Sequence, residues 1–182
     1  MTKVLILNGP NLNRLKHRPA QCYGNTDFET YLPILQKEFK SLTINHLQTN
    51  HEGGLIDALQ ESETRYDGII FNPGGYTHHS IALSDAIESI TIPVVEVHLS
   101  NLFARSAERL QAGLLASTTG SAFVCAPIAI WFCVNLATRA ITSAMSRKTG
   151  VGLSVPTSNR ASASRSNISI IIPSSVTRVT MC

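Results

Sequence analysis

The chain has 182 residues, 43% of them hydrophobic, which suits one globular domain with a sizeable core. A formal charge of +3 is mild, and no Lys/Arg stripe with interleaved aromatics is present, which argues against a nucleic-acid partner. Four irregularly spaced cysteines form neither a disulfide framework nor a zinc pattern, and no Lys/Arg-led apolar stretch opens the chain. A reducing, cytoplasmic setting is the expectation.

The first apolar run is Lys3-Val-Leu-Ile-Leu-Asn8. It is short and bounded by turn residues, as a buried parallel strand is. Thr26-Asp-Phe-Glu29 is a capping-box pattern. Phe28, Tyr31, Leu32, Leu35, Phe39 and Leu42 follow on one helical face. Pro33 sits inside that pattern and predicts a kink or a later start, at a cost of about 3 kcal/mol. A second strand is predicted over residues 42–48, and Asn50-His-Glu-Gly-Gly54 reads as a turn. Leu55, Ile56 and Leu59 mark a second helix ending near Tyr66. The third strand is Gly68-Ile-Ile-Phe-Asn72. A third helix spans about residues 80–88, with Ile81, Ala82, Leu83, Ala86 and Ile87 inward. Residues 94–98 form the fourth strand.

The order βαβαβαβ predicts a parallel sheet covered on both faces, with strand order 2-1-3-4-5. Residues 122–130 are the candidate fifth strand and 131–144 the final helix. The apolar stretch 122–134 contains Pro127 and falls short of the roughly 20 residues a membrane span needs, so no membrane partner is expected. A domain over residues 1–145 is therefore followed by a Ser/Thr-rich tail, 146–182. The tail is read as disordered, with a stray strand near 168–173.

In open α/β sheets ligands bind beyond the carboxyl ends of the strands. Asn11, Asn72, His78, His98 and Ser100 all follow such ends and should converge. Glu96 lies two residues before His98, so both side chains share a strand face. A carboxylate there would orient the imidazole for general-acid work. A histidine that merely finishes a strand fits the same spacing. The segment Asn72-Pro-Gly-Gly-Tyr-Thr-His-His-Ser80 has glycines that allow close approach of a ligand. Ser80 would cap the third helix, with the helix's first amides facing an anion. An ordinary strand-to-helix turn is the plainer reading. The loop Arg14-Leu-Lys-His-Arg-Pro-Ala-Gln-Cys-Tyr-Gly24 is basic and carries a tyrosine. It is either a solvated loop or a lid in which an arginine favours the Tyr23 phenolate. No paired-cysteine or His/Asp set has metal spacing, and no GxGxxG or GxSxG is present. The expected site is metal-free and cofactor-free. Its His, Asn, Ser, Tyr and Arg suit proton abstraction and elimination on a small, oxygenated, anionic substrate.

Residues 1–105 closely resemble type II 3-dehydroquinate dehydratase. The matching stretches are Leu7-Asn-Gly-Pro-Asn-Leu-Asn13, Tyr23-Gly24, Asn50-His-Glu-Gly53, Asn72-Pro-Gly-Gly-Tyr-Thr-His78, Ser80, Asp85 and Pro93-Val-Val-Glu-Val-His-Leu-Ser-Asn101. The resemblance implies a flavodoxin-like three-layer α/β sandwich assembled as a trimer-based homododecamer. It implies trans dehydration of 3-dehydroquinate to 3-dehydroshikimate through an enolate, without a cofactor. By matched position Tyr23 would be the base, with Arg18 lowering its pKa. Asn11 would stabilise the enolate through a bound water. His98, oriented by Glu96, would protonate the leaving hydroxyl. Asn72, His78 and Ser100 would hold the substrate, with the amides of Leu99 and Ser100 near its carboxylate. Asp85 would reach a neighbouring subunit's site, and Arg109 falls at the count of a substrate-binding arginine.

The chain departs from the family pattern in two places. In the lid, Leu-Gly-x-Arg-x-Pro reads Leu15-Lys-His-Arg-Pro-Ala20, with Arg18 and Tyr23 keeping their spacing. After Phe103-Ala-Arg105 the quoted pattern stops. All 12 acidic residues and all 6 histidines lie within residues 1–108, whereas residues 109–182 hold seven Lys and Arg and no acid. A shifted reading frame or mispredicted exon from about residue 106 would produce both. An active dehydratase therefore stands beside two other readings: a catalytically impaired flavodoxin-like binding or assembly protein, and a frameshifted, non-functional product.

Overall fold

The computed structural model describes residues 1–18, 27–99, 120–123, 168–171 and 177–181. Five strands form a parallel series: β1 (Thr2–Asn8), β2 (Leu42–Gln48), β3 (Gly68–Asn72), β4 (Val94–His98) and β5 (Gly120–Phe123). Two further strands, β6 (Ile168–Ile171) and β7 (Thr177–Met181), extend the sheet. Its order is β2-β1-β3-β4-β5-β7-β6, with β6 antiparallel to β7. The predicted order 2-1-3-4-5 is therefore present. The fifth strand starts two residues before the predicted 122 and pairs with β4 from Val95↔Gly120 to His98↔Phe123. Strand β6 falls where the stray strand was expected, and β7 was not anticipated. The predicted helix over 131–144 and residues 146–167 of the tail lie outside the described residues.

Among the described residues three α-helices cover the sheet: α1 (Phe28–Glu38), α2 (Glu52–Arg65) and α3 (Ile81–Ser89). The core cluster joins Leu5 and Leu7 of β1, Ile69 and Phe71 of β3, and Val94 of β4 to Leu55, Ala58 and Leu59 of α2 and Leu83, Ala86 and Ile87 of α3. Full burial of each large side chain contributes roughly 1.5–3 kcal/mol. Helix α2 reaches this core because Leu55, Ala58, Leu59 and Ser62 recur at helical spacing on one face. Partnered residues of parallel strands point to the same side. Phe71 pairs with Glu96, so Glu96 and His98 continue the α2/α3 face of the sheet.

Four local features bear on these expectations. Gly53 and Gly54, read as a turn, are the first residues of α2 after Glu52. The bond from Leu55 N to His51 O closes that first turn at 3.1 Å. Helix α1 starts at Phe28 with Asp27 as its N-cap and no side-chain capping bond, one residue later than a Thr26 cap would give, in line with the later start expected from Pro33. Pro33 lies inside α1 without ending it. The carbonyl that Pro33 cannot reach with an N–H belongs to Glu29, an exposed residue. Ile81 is 77% exposed and Ala82 is exposed, whereas Leu83, Ala86 and Ile87 are buried. Ile81 lies two residues before Leu83, about 200° around the helix, and so faces away from the core.

Candidate active site

The carboxyl ends of β1 and β3 lie level, since Asn8 pairs with Asn72. The loops that follow are locked together. Gly9 N donates to Asn72 O at 2.7 Å. A Cβ on Gly9 would stand 2.6 Å from Pro73 O, so only glycine fits. Asn11 sits in the left-handed region at φ 66°. Its N–H donates to Asn50 Oδ1 at 3.0 Å, and Gln48 Nε2 donates to the same oxygen at 3.0 Å and to Gly9 O at 3.2 Å. Tyr76 OH donates to Asn50 O at 3.3 Å. Asn50, Gln48 and Tyr76 thus brace the Asn11 loop.

Asn72 is buried, and its Oδ1 accepts from Gly74 N at 3.2 Å. With the oxygen held, the side-chain amide donor is the group Asn72 has for a ligand. Gly74 itself has φ +62°, which opens the 3-10 turn Gly74–His78. That turn places Thr77, fully buried, under the sheet edge, and the adjacent His78 is half-buried.

At the end of β4, His98 Nε2 and Glu96 Oε1 are 2.7 Å apart, and the two residues are 4% and 0% exposed. Thr77 Oγ1 donates to the same Glu96 oxygen at 2.9 Å and lies 3.4 Å from His98 Nε2. A carboxylate only accepts, so Nε2 carries the proton of this contact. Glu96 Oε2 is buried and has no hydrogen-bond partner among the described residues.

Ser80 caps α3, accepting from Leu83 N at 3.0 Å. Its hydroxyl also donates to Glu52 Oε1 at 2.5 Å. The anion near this helix start is thus the protein's own carboxylate. Leu99 is half-buried directly after β4, while Asn11, Arg18 and Asp85 are exposed. Arg18 N donates to Leu15 O at 2.9 Å, closing the 3-10 segment Leu12–His17 that anchors the basic loop through buried Leu12 and Leu15. Lys16 and Asp27 form an ion pair at 3.2 Å. Tyr23, Ser100 and Arg109 lie outside the described residues.

Two further features were not anticipated from the sequence. One is Thr77, which stood in a quoted motif without a role. The other is His46 on β2, packed 4.4 Å from the Phe28 ring and 3.0 Å from Asn8 Nδ2. Burial pushes the His46 imidazole below its ordinary value, and Glu29 offsets this in part. No group of three or more His, Cys, Asp or Glu among the described residues is placed to hold a metal ion, and no described helix is long and apolar enough to cross a membrane.

A mainly parallel sheet ending in a buried, hydroxyl-braced Glu–His pair defines an α/β protein with a candidate acid–base pair at its strand ends. The Dehydroquinase class II family model matches residues 2–126, and the chain belongs to that family. The match runs past residue 105, where the motifs legible in the sequence stop. The chain is 43% identical over 123 residues to the 3-dehydroquinate dehydratase of Caldicellulosiruptor saccharolyticus, covering 66% of this chain and 85% of the relative. It is 50% identical over 114 residues to the 3-dehydroquinate dehydratase of Bacillus subtilis, covering 61% and 76%. The crystal structure of type II dehydroquinase from Butyrivibrio crossotus superposes with a TM-score of 0.69 at 34% identity, covering 75% of this chain and 97% of that one.

Proposed function

We infer that this chain is a 3-dehydroquinate dehydratase of type II, a hydro-lyase that removes water from 3-dehydroquinate in a trans sense to give 3-dehydroshikimate. The observation that carries the reading is the buried Glu96–His98 pair at the carboxyl edge of the sheet, in a chain of this family. Tyr23 takes the C2 proton, with Arg18 favouring its phenolate. The electron pair passes into an enolate, which Asn11 stabilises through water. Collapse of the enolate expels the C1 hydroxyl, which leaves as water with a proton from His98 Nδ1, while Glu96 holds the ring. Asn72, His78, Ser100 and the amides of Leu99 and Ser100 bind the substrate's hydroxyls and carboxylate. Arg109 adds a cation to that carboxylate, and Asp85 completes the site of a neighbouring subunit. In this reading the protein works in the cytoplasm as a trimer-based dodecamer, with no cofactor.

The test is absorbance of the conjugated enone product when purified protein meets 3-dehydroquinate. Turnover is expected. Tyr23→Phe and His98→Ala should each lower kcat by roughly a hundredfold or more, the scale of general acid–base catalysis. A protein that 3-dehydroquinate stabilises against heat without turnover would instead be a binding protein.

A further inference from the structure

We propose that Thr77 is a positioning residue of this reaction. Its hydroxyl holds Glu96 and fixes the ring and tautomer of His98. The proposal rests on the dehydratase reading for its kinetic consequence, but not for its structural one. Thr77 and Glu96 are both 0% exposed, and His98 is 4% exposed. Three distances close a triangle: Thr77 Oγ1 to Glu96 Oε1 at 2.9 Å, Glu96 Oε1 to His98 Nε2 at 2.7 Å, and Thr77 Oγ1 to His98 Nε2 at 3.4 Å.

The single hydroxyl proton goes to the carboxylate. The threonine oxygen therefore presents only lone pairs to Nε2, as does Glu96 Oε1. Both Thr77 Oγ1 and Glu96 Oε1 accept at Nε2, so the ring keeps a proton there. Without the hydroxyl, Glu96 would keep His98 as its remaining partner among the described residues. A buried carboxylate with fewer donors is a poorer anion and a looser guide for the ring. The turn makes this contact possible. Gly74 at φ +62° and the 3-10 path through His78 bring Thr77 across to β4.

The experiment compares Thr77→Val, which keeps the shape and loses the hydroxyl, with Thr77→Ser, which keeps the hydroxyl. T77V should lower kcat by roughly tenfold to a hundredfold, the worth of a hydrogen bond to a charged group. KM should move by less than about twofold, since Thr77 touches no substrate. T77S should restore most of kcat. At a pH where the ring is neutral, the ¹⁵N spectrum of the His98 imidazole should show Nε2–H alone in wild type and T77S, and a tautomer mixture in T77V. A T77V protein with wild-type kcat and an unchanged spectrum overturns the proposal. Should T77V not fold, Thr77→Cys replaces it; full kcat in T77C overturns the proposal, and a partial loss supports it. If wild type itself gives no enone, the dehydratase reading fails, and the spectra alone decide the role of Thr77.

Discussion

His46 illustrates how much one half-buried ring is worth to pH dependence. Burial lowers its pKa in the folded chain from the ordinary 6.5, and Glu29 only partly opposes this. Below about pH 6.5 the unfolded chain takes up a proton that the folded chain refuses. Stability therefore falls as pH drops from 6.5 through the folded value, and it is unaffected by this group above 6.5. Chemical denaturation at pH 7.5 and pH 5.5 should show a smaller loss on acidification in His46→Gln than in wild type. Gly9 sets a steric limit at the same sheet edge. A methyl there would stand 2.6 Å from Pro73 O, so Gly9→Ala should lower stability by about 1–3 kcal/mol, read by urea unfolding. The Glu96–His98 contact was legible in the sequence, because period-2 alternation puts both on one face. Thr77 was not. In a 3-10 turn successive side chains point about 120° apart, and the entry angle set by Gly74 decides whether Thr77 or His78 meets β4.

Among the elements, α3 shows how a cap can be shared. Ser80 accepts from Leu83 N and donates to Glu52 Oε1, so it ties the start of α3 to the start of α2. Ser80→Ala should cost about 1–2 kcal/mol in urea unfolding, the loss of a cap and its partner. Ile81→Ser, one residue on, should change stability by less than about 0.5 kcal/mol because Ile81 is 77% exposed. The first four strands were legible nearly to the residue: β1, β3 and β4 are short apolar runs between turn residues and are largely buried on both faces, while β2, at the sheet edge, is only partly buried. Helix faces and starts were less so. Ile81 is apolar but off the stripe set by Leu83, Ala86 and Ile87. Gly53 and Gly54 are weak helix formers, yet the face that buries Leu55, Ala58, Leu59 and Ser62 carries the helix back through them.

For the molecule as a whole, one core cluster joins β1, β3 and β4 to α2 and α3. Leu59 lies within it at 0% exposure. Leu59→Ala should cost roughly 2–5 kcal/mol and lower Tm accordingly, measured by calorimetry. The same core supports the site from below, because Phe71 pairs with Glu96. The fold class and strand order followed from the βαβ rhythm alone. The extent of the family likeness did not. The acid-free composition of residues 109–182 marks a boundary near Glu108, whereas the family match continues to residue 126. Composition registers charge, while a family match also registers apolar positions and spacing.

The place of β1 has a consequence for how the chain comes to be folded. It is made before β2 and β3, yet it lies between them, so Val4 must wait for both Ile44 and Gly68. Each pairing closes a long loop before any hydrogen bond is gained, and such non-local order slows folding. During synthesis Val4, Leu5, Ile6 and Leu7 leave the ribosome well before their neighbours exist. That interval, rather than the finished domain, is where this chain is most exposed to aggregation, and slower growth at lower temperature should raise its soluble yield.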